Sequence, residues 1–250
     1  MQLSFLDHPA ERAGLITITS SLRRCVKAQD LSQVEYVLID QHGSLEIPPV
    51  PGLEHHLGRY DAECIQRYLA TERDLGIPEL RARLLELLPN ALSIHFNVNL
   101  GIYDPNRQAR YALSSLAQQA SPEVQDMLLD WHVRGSRAVD EILARLSGKV
   151  RIALLHSTEF YEAQDLKNLD LANSADFKAH LDRVCGVGPV EYKNSFITGD
   201  EDGSTHGDRQ FRLAIERHLE ALGISFTSND PYTTQLGRHM TSSYMLRYPG

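Results

Sequence analysis

Apolar residues recur along the chain in two rhythms. Short β-branched runs predict strands at 15–19, 34–39, 91–98, 150–155, 194–198, 224–227 and 242–246. Longer stretches, apolar every third or fourth position, predict helices at 61–75, 78–88, 107–120, 122–146, 174–185 and 208–222. The clearest helix starts near 122. Ser121 suits its cap and Pro122 its first turn, while Val124, Leu128, Trp131, Ala138, Ile142 and Leu146 form one apolar stripe. Alternating strands and helices predict an α/β fold, a mixed, mostly parallel sheet with helices on both faces. No repeat or low-complexity tract interrupts the pattern, so residues 1–250 read as a single domain.

Composition narrows the chemistry. The 250 residues carry 25 Lys and Arg against 33 Asp and Glu, a formal charge of −8. That balance argues against a general grip on nucleic acid, which needs concentrated cations to neutralise phosphates. No run approaches the roughly 18 apolar residues of a membrane span. The opening MQLSFLDHPAERAG has no basic segment followed by a long apolar one, so the reading is of a cytoplasmic chain without a secretory signal. Cys25, Cys64 and Cys185 are odd in number and form no CxxC, which predicts reduced thiols rather than a disulfide frame. The expected partner is therefore a small molecule, with neither nucleic acid nor membrane. The helical stripe is explained by a core and sets no oligomeric state. Histidine is abundant at 11 residues, and neutral imidazole suits both metal ligation and proton transfer.

Ligands of open α/β sheets collect beyond the carboxyl ends of the strands. Those positions here are Asp40-Gln41-His42-Gly43-Ser44, His156-Ser157-Thr158-Glu159, Gly199-Asp200-Glu201-Asp202-Gly203-Ser204-Thr205 and Ser228-Asn229-Asp230-Pro231-Tyr232. The chain has no GxGxxG, GxxxxGK[ST] or GxSxG, which weakens dinucleotide, P-loop and serine-hydrolase readings.

These segments resemble one family in order and spacing. His42-Gly43-Ser44-Leu45-Glu46-Ile47-Pro48 is similar to the PHxGxxxP signature of N-formylglutamate amidohydrolases, with Gln41 in place of the proline. Leu154-Leu155-His156-Ser157 resembles their DxHS motif, with Leu154 at the acidic position. Gly199 to Ser204 resembles their GDxxGxS loop. Asn229-Asp230-Pro231-Tyr232 resembles NxPYxGG, with Thr234 and Gln235 where the glycines belong. The resemblance spans about residues 34–248. It implies a three-layer α/β/α sandwich like that of zinc-dependent exopeptidases, and hydrolysis of a linear amide.

It also implies a divalent metal, zinc first and Fe(II) as the alternative, held by His42 and His156. For the third ligand Asp61 matches an acidic position of the family, Glu46 competes with it, and Glu54 is a further choice. Two imidazoles and a carboxylate leave a coordination position open, as a hydrolytic zinc requires. Asp200, Ser204, Asn229 and Tyr232 would face the substrate.

Three departures bear on the chemistry. The family's SRxxxDxNR strand reads Ser93-Ile94-His95-Phe96-Asn97-Val98-Asn99-Leu100, without either arginine and with Asn97 for the acid. Arg107 and Arg110 follow, and Arg107 is the candidate substitute for gripping a carboxylate. The glycine pair after Tyr232 is missing. The last predicted strand, Ser242-Ser243-Tyr244-Met245-Leu246-Arg247, lacks the glutamate that related enzymes use as general base. Glu159 or His239 would have to take that role, and His95 and His132 would belong to the altered pocket. Two other readings stand beside the hydrolase: the same ligands reused with Fe(II) for redox chemistry, and a non-catalytic descendant that binds a small molecule or partner.

Overall fold

The computed structural model describes residues 8–21, 31–74, 76–146, 150–155, 159–160, 175, 178–179, 191–192, 195–196, 209–223 and 227–228. Four strands form the main sheet: β1 (Ile16–Ser20), β2 (Tyr36–Asp40), β3 (Ala91–Phe96) and β4 (Arg151–Leu155), in the order β1-β3-β2-β4. β2 pairs in parallel with β3 and β4, while β1 runs antiparallel along β3. Two short pairs lie apart from it among the described residues. They are β5 (Glu159–Phe160) with β6 (Glu191–Tyr192), and β7 (Ser195–Phe196) with β8 (Thr227–Ser228).

Helices among the described residues include α1 (Pro9–Arg12), α2 (Leu53–Leu57), α3 (Ala62–Thr71), α4 (Ile77–Leu87), α5 (Ser115–Gln118), α6 (Pro122–Ala144) and α7 (Arg209–Ala221). Alternation of side chains along β2 divides the interior in two. Val37 and Ile39 enter the larger core with Ile94, Phe96 and the α6 residues Leu128, Val139 and Ile142. Leu38 points the other way, with Leu155, onto Ile77, Leu84 and Leu85 of α4. Helices thus cover both faces of a mixed sheet, the α/β sandwich expected from the sequence.

Two expected helices are shorter than their periodicity. The 61–75 helix stops at Thr71 because the Asp74 amide donates to the His42 carbonyl at 3.0 Å instead of continuing the helix. The expected helix at 107–120 is corrected more sharply: only a 3₁₀ turn at Ala109–Tyr111 and the short α5 are helical there. Residues 102–114 double back on themselves. The Asp104 amide bonds Ala112, the Ser114 amide bonds Ile102, and Tyr103 bridges Leu113. These backbone pairings override a weak helical preference. A second correction concerns Cys64 on α3, which is disulfide-bonded rather than a reduced thiol. No helix among the described residues is long and apolar enough to cross a membrane.

The connections indicate where a site belongs. The chain leaves β2 through α2 and α3, whose Leu53, Ile65, Tyr68 and Leu69 join the larger core, and reaches β3 through α4 on the other face, while α6 carries it from β3 to β4 over the larger core. Adjacent parallel strands whose connections part to opposite faces open a cleft at their carboxyl ends. Here the ends of β2 and β3 take that position, the cleft this topology leads one to expect.

Candidate active site

Asp40 ends β2 with no solvent exposure. Its Oδ1 accepts the Gly43 amide at 2.8 Å, so the carboxylate folds the chain into a tight turn that projects His42. Position 43 needs a glycine: a Cβ there would stand 2.8 Å from both Asp40 oxygens. Asn99, just past β3, pins the other end of the loop. Its amide nitrogen donates to the Ser44 and Leu69 carbonyls, its side-chain oxygen accepts the Gly101 amide, and its backbone N–H donates to Glu46.

His42 is held between two carboxylates. Nε2 lies 2.8 Å from Asp104 Oδ1, and Nδ1 lies 3.4 Å from Asp74 Oδ2. Burial alone would lower its pKa. The charges of Asp104 and Asp74, and the hydrogen bonds to them, outweigh that and raise it from 6.5 to about 10. Asp104 shifts the opposite way. Burial opposes its ionisation, but the His42 charge and hydrogen bond, the Arg107 charge and the Asn106 amide hold it far below the ordinary carboxylate range. Arg107 Nε donates to Asp104 Oδ2 at 2.9 Å, while its side chain remains half exposed beside the cleft.

Asp40 anchors a second imidazole through its other oxygen. His95 Nδ1 lies 2.9 Å from Oδ2, and Arg81 NH1 reaches the same atom from α4 at 3.1 Å. Burial works against the Asp40 charge, but His95, Arg81 and the Gly43 amide together keep its pKa below the usual value.

Of the expected metal ligands, His42 sits at the cleft, whereas Asp61 and Glu46 do not join it. Asp61 is exposed and caps α3, its Oδ1 accepting the Cys64 amide at 2.9 Å. Glu46 and Glu54 are exposed, Glu46 beyond the His42 turn and Glu54 in the first turn of α2. Arg107 lies at the cleft, and Arg110 stacks on Tyr111 instead. Asn97, at the family's acidic position, is spent on the sheet: it accepts from Thr17 and donates to Gly14. His132 donates Nε2–H to the Arg107 carbonyl at 2.7 Å beneath the Asp104 loop, and Trp131 packs against the core. Glu159 lies in β5 opposite Tyr192. His156, Asp200, Ser204, Asn229, Tyr232 and His239 lie outside the described residues.

Three acidic residues of this cluster carried no sequence motif: Asp74, Asp104 and, as a positioning group, Asp40. Asp104 begins an Asp-Pro-Asn turn, a signal shared with any surface loop. Only the return of the 102–114 excursion brings it onto His42.

The donor chemistry can be tested against a divalent metal. A ligating histidine characteristically donates its other ring N–H to a carboxylate, which fixes the tautomer and ring orientation. His42 has a carboxylate at each nitrogen, so a metal on one nitrogen would displace its proton and its hydrogen bond while the other carboxylate orients the ring. Once the ring has lost that proton, this half of a site fits. Among the described residues, no three His, Cys, Asp or Glu side chains converge to complete one.

Comparison with known proteins agrees with this architecture. The chain shares its fold with gene product Atu2144 from Agrobacterium tumefaciens, at a TM-score of 0.53 and 16% identity over 97% of this chain and 82% of that one. It is equally similar to N-formylglutamate amidohydrolase from Ralstonia eutropha JMP134, at a TM-score of 0.53 and 17% identity over 89% of this chain and 79% of that one. Neither a family model nor a curated protein matches the sequence.

Proposed function

We propose that this chain is a metal-dependent hydrolase of a linear amide, such as an N-formyl or N-acyl amino acid, acting at the carboxyl ends of β2 and β3. The observation that carries the reading is His42, buried at the switch point and bracketed by Asp74 and Asp104, in a fold shared with an amidohydrolase. A divalent metal, when bound, would supply a Lewis acid and a water ionisable near neutral pH. His42 and one of its two carboxylates would hold it, with His156 the expected second imidazole. The other carboxylate keeps the ring oriented. Arg107, tied to Asp104 by Nε alone, has further N–H donors for the carboxylate of an amino-acid substrate.

Elemental analysis of protein purified without chelator tests this reading. The expected result is about one zinc per chain, lost in His42→Ala and kept in Glu46→Gln and Asp61→Ala. The wild type should release formate or a free amine from a panel of N-formyl and N-acetyl amino acids. Stoichiometric iron in place of zinc would turn the reading to redox chemistry. No retained metal, even after incubation with zinc, iron and manganese, would remove the metallohydrolase reading.

A further inference from the structure

The last predicted strand carries no carboxylate to act as general base, yet the ends of β2 and β3 hold an imidazole outside the proposed ligand set. His95 is the penultimate residue of β3 and stands in register with Asp40 on β2. Both lie at the carboxyl ends of neighbouring parallel strands, where His42 begins its turn. Asp40 serves the two histidines through different oxygens: Oδ1 accepts the Gly43 amide that sets the His42 turn, and Oδ2 faces His95 Nδ1.

An ionised carboxylate can only accept, so the hydrogen of a neutral His95 ring sits on Nδ1 and the lone pair on Nε2. That Nε2 makes no hydrogen bond and is not among the sealed, unpartnered polar atoms, while the ring keeps 13% exposure. A purely structural role for the pair is already filled by Arg81, whose ion pair to the same oxygen ties α4 to the sheet. An aspartate that fixes the tautomer of a histidine, whose other nitrogen carries no hydrogen bond, is the arrangement from which imidazole serves as a base.

Resting on the hydrolase reading above, we propose that His95 is the proton-transfer group of this site and Asp40 its positioning residue. Nε2 takes a proton from the attacking water as the water oxygen bonds the amide carbon. The resulting imidazolium gives that proton to the amide nitrogen as the carbon–nitrogen bond breaks. A carboxylic acid and an amine leave, and His95 returns to its starting state.

The test uses the full-length, zinc-loaded protein and the N-acyl amino-acid substrate that the wild type turns over fastest. In His95→Gln, kcat should fall by about 10²–10⁴-fold, with KM and zinc content unchanged. Long-range proton–nitrogen NMR on the wild type should find the His95 hydrogen on Nδ1, a readout that stands even where the variant fails to fold. A His95→Gln variant that keeps wild-type kcat, or a hydrogen on Nε2, overturns the assignment and leaves the hydrolase reading in place. A zinc-loaded wild type that cleaves no amide overturns the hydrolase reading itself, and the role of His95 with it.

Discussion

Three histidines of this protein are almost equally hidden: His42 is 3% exposed, His56 4% and His132 2%. Their partners differ. At the cleft, His42 meets the carboxylates of Asp104 and Asp74. In the helical layer, His56 and His132 donate Nε2–H to the backbone carbonyls of Leu116 and Arg107, and each leaves Nδ1 sealed without a partner. Burial lowers the pKa of both helical-layer histidines, and the carbonyl is too weak a counterweight to reverse it. The same burial acts on His42, and two full charges overcome it. Partner charge rather than depth therefore decides which imidazole is a cation.

The largest effects should come from removing a carboxylate. Asp104→Ala strips His42 of its closest counter-charge, and Asp40→Ala strands His95, Arg81 and the Gly43 amide. Each should cost about 3–5 kcal/mol in urea unfolding, the penalty for leaving a buried charge uncompensated. His132→Leu breaks only a bond to a carbonyl and should cost about 1–3 kcal/mol. Equal losses at the two kinds of site would erase the distinction.

The most specific expected effect is one of sign. In protein stripped of metal, the raised pKa of His42 gives stability that is full below pH 6.5 and declines as pH rises toward about 10. The lowered pKa values of His56 and His132 act in reverse. Their contribution is full above pH 6.5 and is lost as pH falls through their folded-state values. Unfolding curves across pH should therefore lose their alkaline slope in His42→Gln and part of their acid-side slope in His132→Phe. Unchanged slopes would mean that the partners do not set the charge.

The sequence carried the sheet far better than the cluster. Strands β1 to β4 fall within two residues of the predicted runs, because strands buried between helical layers are written as continuous apolar stretches. His42 was legible for the same reason: it follows such a run directly, in a turn whose glycine is required. Asp74 and Asp104 were not. They sit 32 and 62 residues further along the chain, in a helix-terminal turn and an irregular excursion, and no local period records a meeting made by tertiary contact. Asp61 was ambiguous because an aspartate that opens a helix has the same neighbours in sequence whether it caps or ligates, and in the structure it caps α3. The excursion at 102–114 looked helical because its spacing of apolar residues ignores backbone bonds made across a turn.

Asn99 gives the cleft a property beyond geometry. One fully buried amide group spans three stretches of chain: the His42 loop at Ser44, the last turns of α3 at Leu69, and the start of the excursion at Gly101. Each of the three is tied to the other two through this one side chain. They should therefore open as one cooperative unit, and the amides of Gly101 and of the turn at 42–46 should exchange with solvent deuterium at a common free energy. Asn99→Ala would divide that unit, letting the histidine loop breathe independently of the helix behind it.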